Sequence, residues 1–89
     1  MGLNLESMHF VYLLQSKVDN SLYIGKTENL EKRIIEHNSG KGYFTNRHKP
    51  YELVYYEAYV VKELSEEREK QLKRFGSACY ALIKRIGIK

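Results

Sequence analysis

The chain alternates short, largely apolar runs with polar segments, and three of these runs have the composition of strands. Residues 9–15, 21–25 and 51–61 are rich in Phe, Val, Ile and Tyr, which favour extended structure. The first run is apolar at nearly every position, so we expect it in the centre of a sheet with both faces covered. A short polar turn separates the first two runs, which predicts a hairpin.

A helix is predicted between the second and third strands, over residues 27–38. Leu30 and Ile34 are four residues apart and define one buried stripe. Either Thr27 or Asn29 can cap the start of this helix, because both side chains can accept a hydrogen bond from its free amide groups.

The remainder of the chain predicts two further helices. Segment 62–75 has acidic residues early and basic residues late, the order that complements a helix dipole. Ser77 is expected to cap a last helix over residues 78–86. The order β-β-α-β-α-α predicts an α+β fold, in which a small three-stranded antiparallel sheet is flanked by helices. Three apolar residues are expected on the buried face of the second helix: Leu64, Leu72 and Phe75.

Length and composition limit the molecule to one small domain. The 89 residues are 43% hydrophobic and 29% charged, so the chain can bury a modest core. We expect residues 8–89 to form one domain and residues 1–7 to be a leader or tag. No apolar run reaches the roughly 20 residues that a membrane helix needs, so no membrane partner is expected. The single cysteine, Cys79, is expected to be a buried apolar residue in a cytoplasmic protein.

The charge balance favours a polyanionic partner. The net charge is +4 and the isoelectric point is about 9.2, which suits nucleic acid or an anionic membrane surface. Segment 40–50 is a predicted loop that can contact phosphates and stack on unpaired bases. A solvated loop with two aromatic residues on the core explains the same pattern. The basic and aromatic residues of this loop are Lys41, Tyr43, Phe44, Arg47, His48 and Lys49. Further basic residues can extend the surface: Lys70, Lys73, Arg74, Lys84 and Arg85.

Two polar residues border the buried stripe of the first helix. At about 100° per residue from Leu30, Ile34 lies at roughly +40°, His37 at roughly −20° and Arg33 at roughly −60°. Both polar side chains are therefore expected to point toward the sheet, which residues that merely face solvent need not do.

Two tyrosine-bearing triplets occupy the predicted hairpin. Residues 10–12 read FVY and residues 23–25 read YIG, with the two tyrosines eleven residues apart. This pair resembles the motif that names the GIY-YIG nuclease family, with FVY in place of GIY. Gly25 is expected to let the chain turn out of the second strand beside the site.

Three polar residues farther along the chain strengthen the resemblance. Arg33 and His37 form an R-x-x-x-H pair on the first helix, and Glu69 is similar to a glutamate on the family's later helix. The resemblance covers residues 8 to about 82 and is strongest to the short, stand-alone members. Several members carry an asparagine after the glutamate, whereas no asparagine follows Glu69 here and position 81 is Ala.

The resemblance implies a metal-dependent endonuclease that hydrolyses phosphodiester bonds in DNA, in branched, nicked or flapped forms, with RNA as a variant. Glu69 would hold Mg²⁺ or Mn²⁺, and Arg33 would grip the scissile phosphate. Tyr23 would act as general base or position the attacking water. Tyr12 and His37 would complete the proton and hydrogen-bond network. A tyrosine can pass a proton where a nearby cation or metal lowers its pKa.

Each of these residues also has a plainer interpretation. Tyrosines on strands are usually packing residues with one wet end, and a helical Arg and His can be ordinary surface residues. Periodicity alone does not favour Glu69 over Glu66 or Glu67. The chain could instead be a nucleic-acid-binding module with little or no turnover, since the asparagine is missing. It could also be a protein-interaction domain, or depend on a protein partner for its specificity.

Overall fold

The structure is a computed structural model that describes residues 7–39 and 47–88. The predicted leader lies outside the described residues except for position 7. The order β-β-α-β-α-α and the α+β class are as predicted from the sequence. The elements of the described residues are β1 (His9–Ser16), β2 (Leu22–Thr27), α1 (Leu30–Asn38), β3 (Tyr51–Tyr59), α2 (Lys62–Lys73) and α3 (Ser77–Ile86).

The three strands form one antiparallel sheet in the order β2-β1-β3. The central position of β1 follows from its composition, because every side chain from Phe10 to Leu14 is buried. In the register of the sheet, Tyr12 lies opposite Gly25 of β2 and opposite Tyr56 of β3. The two tyrosine triplets are therefore neighbours across one strand pair.

The sheet has two covered faces, because successive side chains of a strand point to opposite sides. On one face, Val11 and Leu13 pack with Leu72 of α2 and with Cys79 and Leu82 of α3. Cys79 is buried, as its apolar surroundings predicted. On the other face, α1 covers a second cluster that includes both triplet tyrosines. The members of that cluster are Tyr12, Leu14, Tyr51, Tyr23, Leu30, Ile34 and Leu53.

The helices are short, with 9, 12 and 10 residues, and none in the described ranges could span a lipid bilayer. Of the two predicted caps of α1, Asn29 is the N-cap, and its side chain accepts from Lys32 N across 3.1 Å. Thr27 instead accepts from Asn29 N across 3.1 Å. The predicted cap of α3 is wrong: Ser77 is its first helical residue, and Gly76 is the N-cap.

The predicted buried face of α2 is only partly correct. Leu72 is buried, but Leu64 is 56% exposed and Phe75, beyond the end of the helix, is 60% exposed. The buried position nearer the start of α2 is taken by Ser65, whose hydroxyl donates to the Lys62 carbonyl across 2.6 Å. A small polar residue can be buried there because its hydroxyl is satisfied within the helix.

Candidate active site

Three ring side chains gather on the α1 face of the sheet. The His37 ring lies 4.5 Å from the Tyr23 ring and 5.8 Å from the Tyr12 ring, both edge-on. The two tyrosine rings stack 6.3 Å apart. Because Tyr12 pairs with Gly25 and Tyr23 pairs with Leu14, the tyrosines are diagonal neighbours on one face of the hairpin. The hairpin register thus brings the two motif tyrosines together.

The Tyr12 hydroxyl is held by two side chains of α1. It lies 2.9 Å from His37 Nε2, and Arg33 Nε donates to it across 3.4 Å. Arg33 and His37 are four residues apart, so they are neighbours on the surface of α1. Their predicted orientation toward the sheet is confirmed by these contacts.

Burial keeps the Tyr12 phenol protonated well beyond pH 7. The side chain is 1% exposed, and loss of hydration raises the pKa of Tyr12 to about 12. Tyr23 and the Glu69 carboxylate act in the same direction, while Arg33 opposes them. Tyr12 is therefore a neutral phenol at pH 7, able to donate a hydrogen bond but not to act as a base. Arg33 does not bring the pKa of Tyr12 below that of an ordinary tyrosine, because its lowering effect is smaller than the effect of desolvation.

Of the two α1 residues that contact Tyr12, His37 is neutral and Arg33 is charged. Burial, and then the charge of Arg33, lowers the pKa of His37, so its imidazole is neutral at pH 7. The hydrogen bond with Tyr12 raises the pKa of Arg33, so its guanidinium stays charged. Arg33 Nη1 also lies 3.3 Å from Glu36 Oε1, and the side chain remains 43% exposed. Arg33 thus has a fixed inner end and a solvent-accessible charge.

Gly25 leaves space for the Tyr12 ring. A Cβ atom at position 25 would lie 2.6 Å from Tyr12 Cζ and closer still to the hydroxyl oxygen. Any side chain there would push the phenol from its place beside His37 and Arg33. The expected turn at Gly25 is wrong, because β2 continues to Thr27. The glycine is required for close approach across the strand pair.

Glu69 of α2 supplies a carboxylate. Its side chain is 17% exposed, and its charge contributes to the raised pKa of Tyr12, so it lies within electrostatic reach of that phenol. Glu69 Oε2 is 3.3 Å from Lys73 Nζ, one turn along the helix. Of the other two glutamates, Glu66 forms an ion pair with β2 and Glu67 is exposed. Among the three, only Glu69 has an electrostatic effect on Tyr12.

Comparison with known proteins agrees with this geometry. The family model of the GIY-YIG catalytic domain matches residues 8–80. The chain belongs to the GIY-YIG family. It is similar to a UPF0213 protein of Staphylococcus haemolyticus, with 46% identity over 68 residues, 75% of this chain and 82% of that protein. A UPF0213 protein of Clostridium perfringens is also 46% identical over 68 residues, covering 75% of this chain and 72% of its own.

A solved structure shares the fold. The solution NMR structure of a UPF0213 protein from Bacillus halodurans has a TM-score of 0.56 and 32% identity, covering 90% of this chain and 85% of that one. The resemblance seen in the two triplets is thereby confirmed. GIY-YIG domains are nuclease domains, and the matched range contains every residue of the ring cluster as well as Arg33 and Glu69.

A hard divalent cation, which GIY-YIG nucleases generally require, fits the chemistry of Glu69. Magnesium prefers oxygen ligands, keeps several waters, and is commonly bound through one or two carboxylates together with substrate phosphate. Within residues 7–39 and 47–88, no three His, Cys, Asp or Glu side chains form a metal-binding group. Among the described residues, an ion at Glu69 would therefore have to take its remaining ligands from water and substrate phosphate.

In this GIY-YIG domain, an open groove of about 370 Å³ lies beside the guanidinium of Arg33. Its charged lining consists of Lys26, Lys32 and Arg33 on the basic side and of Glu28 and Glu36 on the acidic side. The basic side chains outnumber the acidic ones by one. The lining is therefore slightly positive, which suits an anionic ligand, and Arg33 is part of it.

The predicted nucleic-acid-binding loop of the domain is described only in part. Three of its six basic and aromatic residues lie outside the described residues: Lys41, Tyr43 and Phe44. Arg47 and Lys49 are exposed. His48 is held at the β1–β2 turn, where its Nδ1 lies 2.6 Å from Asp19 Oδ2 and its carbonyl accepts from Ser16 Oγ across 2.5 Å. Nucleic-acid binding by this loop stays a prediction, and the His48 ring already contacts a carboxylate.

Three neighbours of the site were not singled out from the sequence: Tyr51, Asn38 and Glu36. Tyr51 is buried, with its ring 6.2 Å from that of His37. The Asn38 side chain holds the backbone of Tyr51: its Oδ1 accepts from Tyr51 N across 2.6 Å, and its Nδ2 donates to Tyr51 O across 3.1 Å. Glu36 was detectable as the i+3 partner of Arg33. Tyr51 left no local signal, because it reaches the site only through the pairing of β3 with β1.

Proposed function

We propose that this chain is a divalent-metal-dependent endonuclease that hydrolyses phosphodiester bonds in DNA, including branched or nicked forms. The observation that carries the proposal is the convergence of three groups from separate elements. A charged Arg33 and a carboxylate, Glu69, both act on the buried neutral phenol of Tyr12. Phosphoryl transfer to water requires a cation for the phosphate, an oriented water and a carboxylate for a metal, and these residues offer such groups.

Arg33 would bind the scissile phosphate. Its Nε donates to Tyr12 and its Nη1 faces Glu36, which holds the planar group in one orientation. Its Nη2 makes no hydrogen bond with another described residue. The remaining donors can therefore meet two phosphate oxygens at once, as a guanidinium does best.

The ring cluster would organise the attacking water. Tyr23 packs edge-on against His37 and stacks on Tyr12, so its phenol is placed by two neighbours. We assign Tyr23 the role of general base or water-positioning group. Tyr12 keeps its proton and donates a hydrogen bond, which a neutral His37 can accept at Nε2 when Nδ1 carries the ring hydrogen. A Mg²⁺ or Mn²⁺ ion held by Glu69 would supply charge stabilisation at the phosphate.

The decisive test compares wild type with Glu69→Gln, Arg33→Ala and the matched control Glu67→Gln. Labelled duplex, single-stranded, flap and branched DNA would be incubated at low salt with Mg²⁺ or Mn²⁺. We expect cleavage by wild type and the control, and a loss of at least about 100-fold in the other two variants. Circular dichroism would establish that all four proteins are folded. Undiminished cleavage by both purified site variants would refute the proposal.

A nucleic-acid-binding module with little turnover is the second candidate. It is favoured by the ion pair between Lys73 Nζ and Glu69 Oε2, 3.3 Å apart, because the lysine would compete with a metal ion for that carboxylate. The absence of an asparagine after Glu69 favours it as well. This candidate predicts salt-sensitive binding of DNA without products under any metal. Turnover that disappears in Glu69→Gln would reject it.

The proposed function includes DNA rather than RNA as the substrate, and a cytoplasmic location. RNA oligonucleotides of matched structure would be included in the cleavage assay, and preferred cleavage of RNA would overturn the assignment to DNA. A cytoplasmic location agrees with a single buried cysteine, Cys79, which requires no oxidising compartment.

A further inference from the structure

Two ion pairs fix how α2 lies on the sheet. On the side of β2, Lys26 Nζ lies 3.7 Å from Glu66 Oε2. On the side of β3, Arg68 Nη2 lies 2.9 Å from Glu57 Oε2. At about 100° per residue, Glu66 and Arg68 are on opposite flanks of the stripe that contains the buried Leu72. The two pairs therefore resist rotation of the helix in opposite directions.

The pair on the side of β3 has the better geometry and more partners. Arg68 Nε lies 3.0 Å from both oxygens of Glu57, in addition to the Nη2 contact. The Tyr55 hydroxyl donates to Glu57 Oε2 across 2.7 Å, and the Tyr59 hydroxyl donates to Oε1. The side chains of Glu57 and Arg68 are only 14% and 23% exposed. Charge-assisted bonds of this kind hold a side chain in one position.

Arg68 directly precedes Glu69. Their side chains leave α2 about 100° apart, so fixing Arg68 on β3 fixes the direction of Glu69. A rotation of α2 by about 20° would move a carboxylate that lies roughly 6 Å from the helix axis by about 2 Å. A displacement of about 1 Å can reduce a reaction rate about 100-fold.

We propose that Glu57 and Arg68 are positioning residues, whose ion pair sets the rotation of α2 and so holds the Glu69 carboxylate at the site of Tyr12. This rests on the proposed nuclease function for its catalytic consequence. The pair itself lies on the opposite face of the sheet from Tyr12, since Glu57 is paired in register with Val11. Neither residue need touch the substrate.

The test separates positioning from stability. In Glu57→Leu/Arg68→Leu both charges are replaced together, which often preserves or increases stability. Leu82→Ala is the matched control, because it weakens the core without altering either ion pair. Arg68→Lys keeps the charge but loses the planar fork. Each protein would be measured by urea unfolding, by Mn²⁺ binding with electron paramagnetic resonance, and by DNA cleavage.

A readout independent of metal and activity uses fluorine NMR of protein labelled with 3-fluorotyrosine. The Tyr12 signal is assigned with Tyr12→Phe, and Glu69→Gln shows how it responds to loss of the carboxylate. We expect Glu57→Leu/Arg68→Leu to shift the signal in the same direction as Glu69→Gln, while Leu82→Ala leaves it in place.

We also expect the double Leu variant to bind Mn²⁺ and to cleave DNA about 10- to 100-fold more weakly than the Leu82→Ala control, with Arg68→Lys between wild type and the double variant. A wild-type fluorine signal in the double variant would overturn positioning, as would unchanged Mn²⁺ affinity in a wild type that binds the ion. If wild type neither binds Mn²⁺ nor cleaves, the nuclease proposal fails, and the fluorine shift alone decides positioning.

Discussion

Replacing Gly25 with alanine would place a methyl group where the Tyr12 ring now lies. The added carbon would stand 2.6 Å from Tyr12 Cζ, well inside the roughly 3.5 Å at which carbon atoms normally touch. The ring cannot simply move aside, because it is buried and its hydroxyl is held by His37 and Arg33. Either β2 shifts or the phenol leaves its position.

The magnitude follows from two opposing terms. Overpacking a buried site costs about 1–3 kcal/mol. Alanine is better than glycine within a strand by about 0.5–1 kcal/mol, because glycine loses more conformational freedom on folding. We therefore expect Gly25→Ala to lower the free energy of unfolding by up to about 2.5 kcal/mol, with about 1 kcal/mol at the middle of the range. Cleavage activity should fall as well, since the displaced phenol loses its contact with His37.

A double-mutant cycle isolates the cause. Urea unfolding, followed by circular dichroism, would be measured for wild type, Gly25→Ala, Tyr12→Leu and the double variant. In the Tyr12→Leu background the ring is absent, so Gly25→Ala should be neutral or should stabilise the protein by about 0.5 kcal/mol. An equal loss of stability in both backgrounds would refute the reasoning, because the glycine would then be required by the backbone rather than by the ring.

Two further predictions concern α1. The pKa of His37 in the folded protein lies below its ordinary value of about 6.5. As the pH falls below about 6.5, His37 therefore binds a proton more readily in the unfolded chain than in the folded one, and the folded state loses stability. Urea unfolding at pH 8 and pH 5 should therefore show a larger loss of stability for wild type than for His37→Gln, and an equal loss in both would contradict this. Asn38→Ala removes both side-chain bonds to the Tyr51 backbone and should cost about 1–3 kcal/mol, whereas a loss below about 0.5 kcal/mol would mean that water replaces them.

Much of the fold was predictable because it depends on local pattern. The unbroken apolar run of β1 marked it as the central strand, and the stripe of Leu30 and Ile34 marked α1. The exposure of Leu64 and Phe75 was not predictable in this way. Helical periodicity gives the spacing of a face, but the length of its contact with the sheet depends on where the helix crosses and ends.

The residues of the candidate site also divide into those that local pattern predicted and those that it did not. The orientation of Arg33 and His37 followed from helix geometry and agrees with their contacts to Tyr12. Glu69 was selected by family resemblance alone, because periodicity does not tell which flank of α2 approaches a tyrosine on another element. The reason for Gly25 was missed, since it depends on a neighbour across the strand pair, and that neighbour is known only once the register is known.

The alternation of side chains along β1 determines what a register error in the sheet would do to the protein. Its successive residues belong alternately to two environments, with Val11 in the cluster under α2 and α3 and Tyr12 in the cluster under α1. A slip of one residue in its pairing would exchange them. The phenol would then enter the apolar cluster and an aliphatic side chain would replace it beside Arg33. Any mispaired chain would thus lose its stability and its assembled site together, so the molecules most easily degraded by proteases would be the same ones that lack the site.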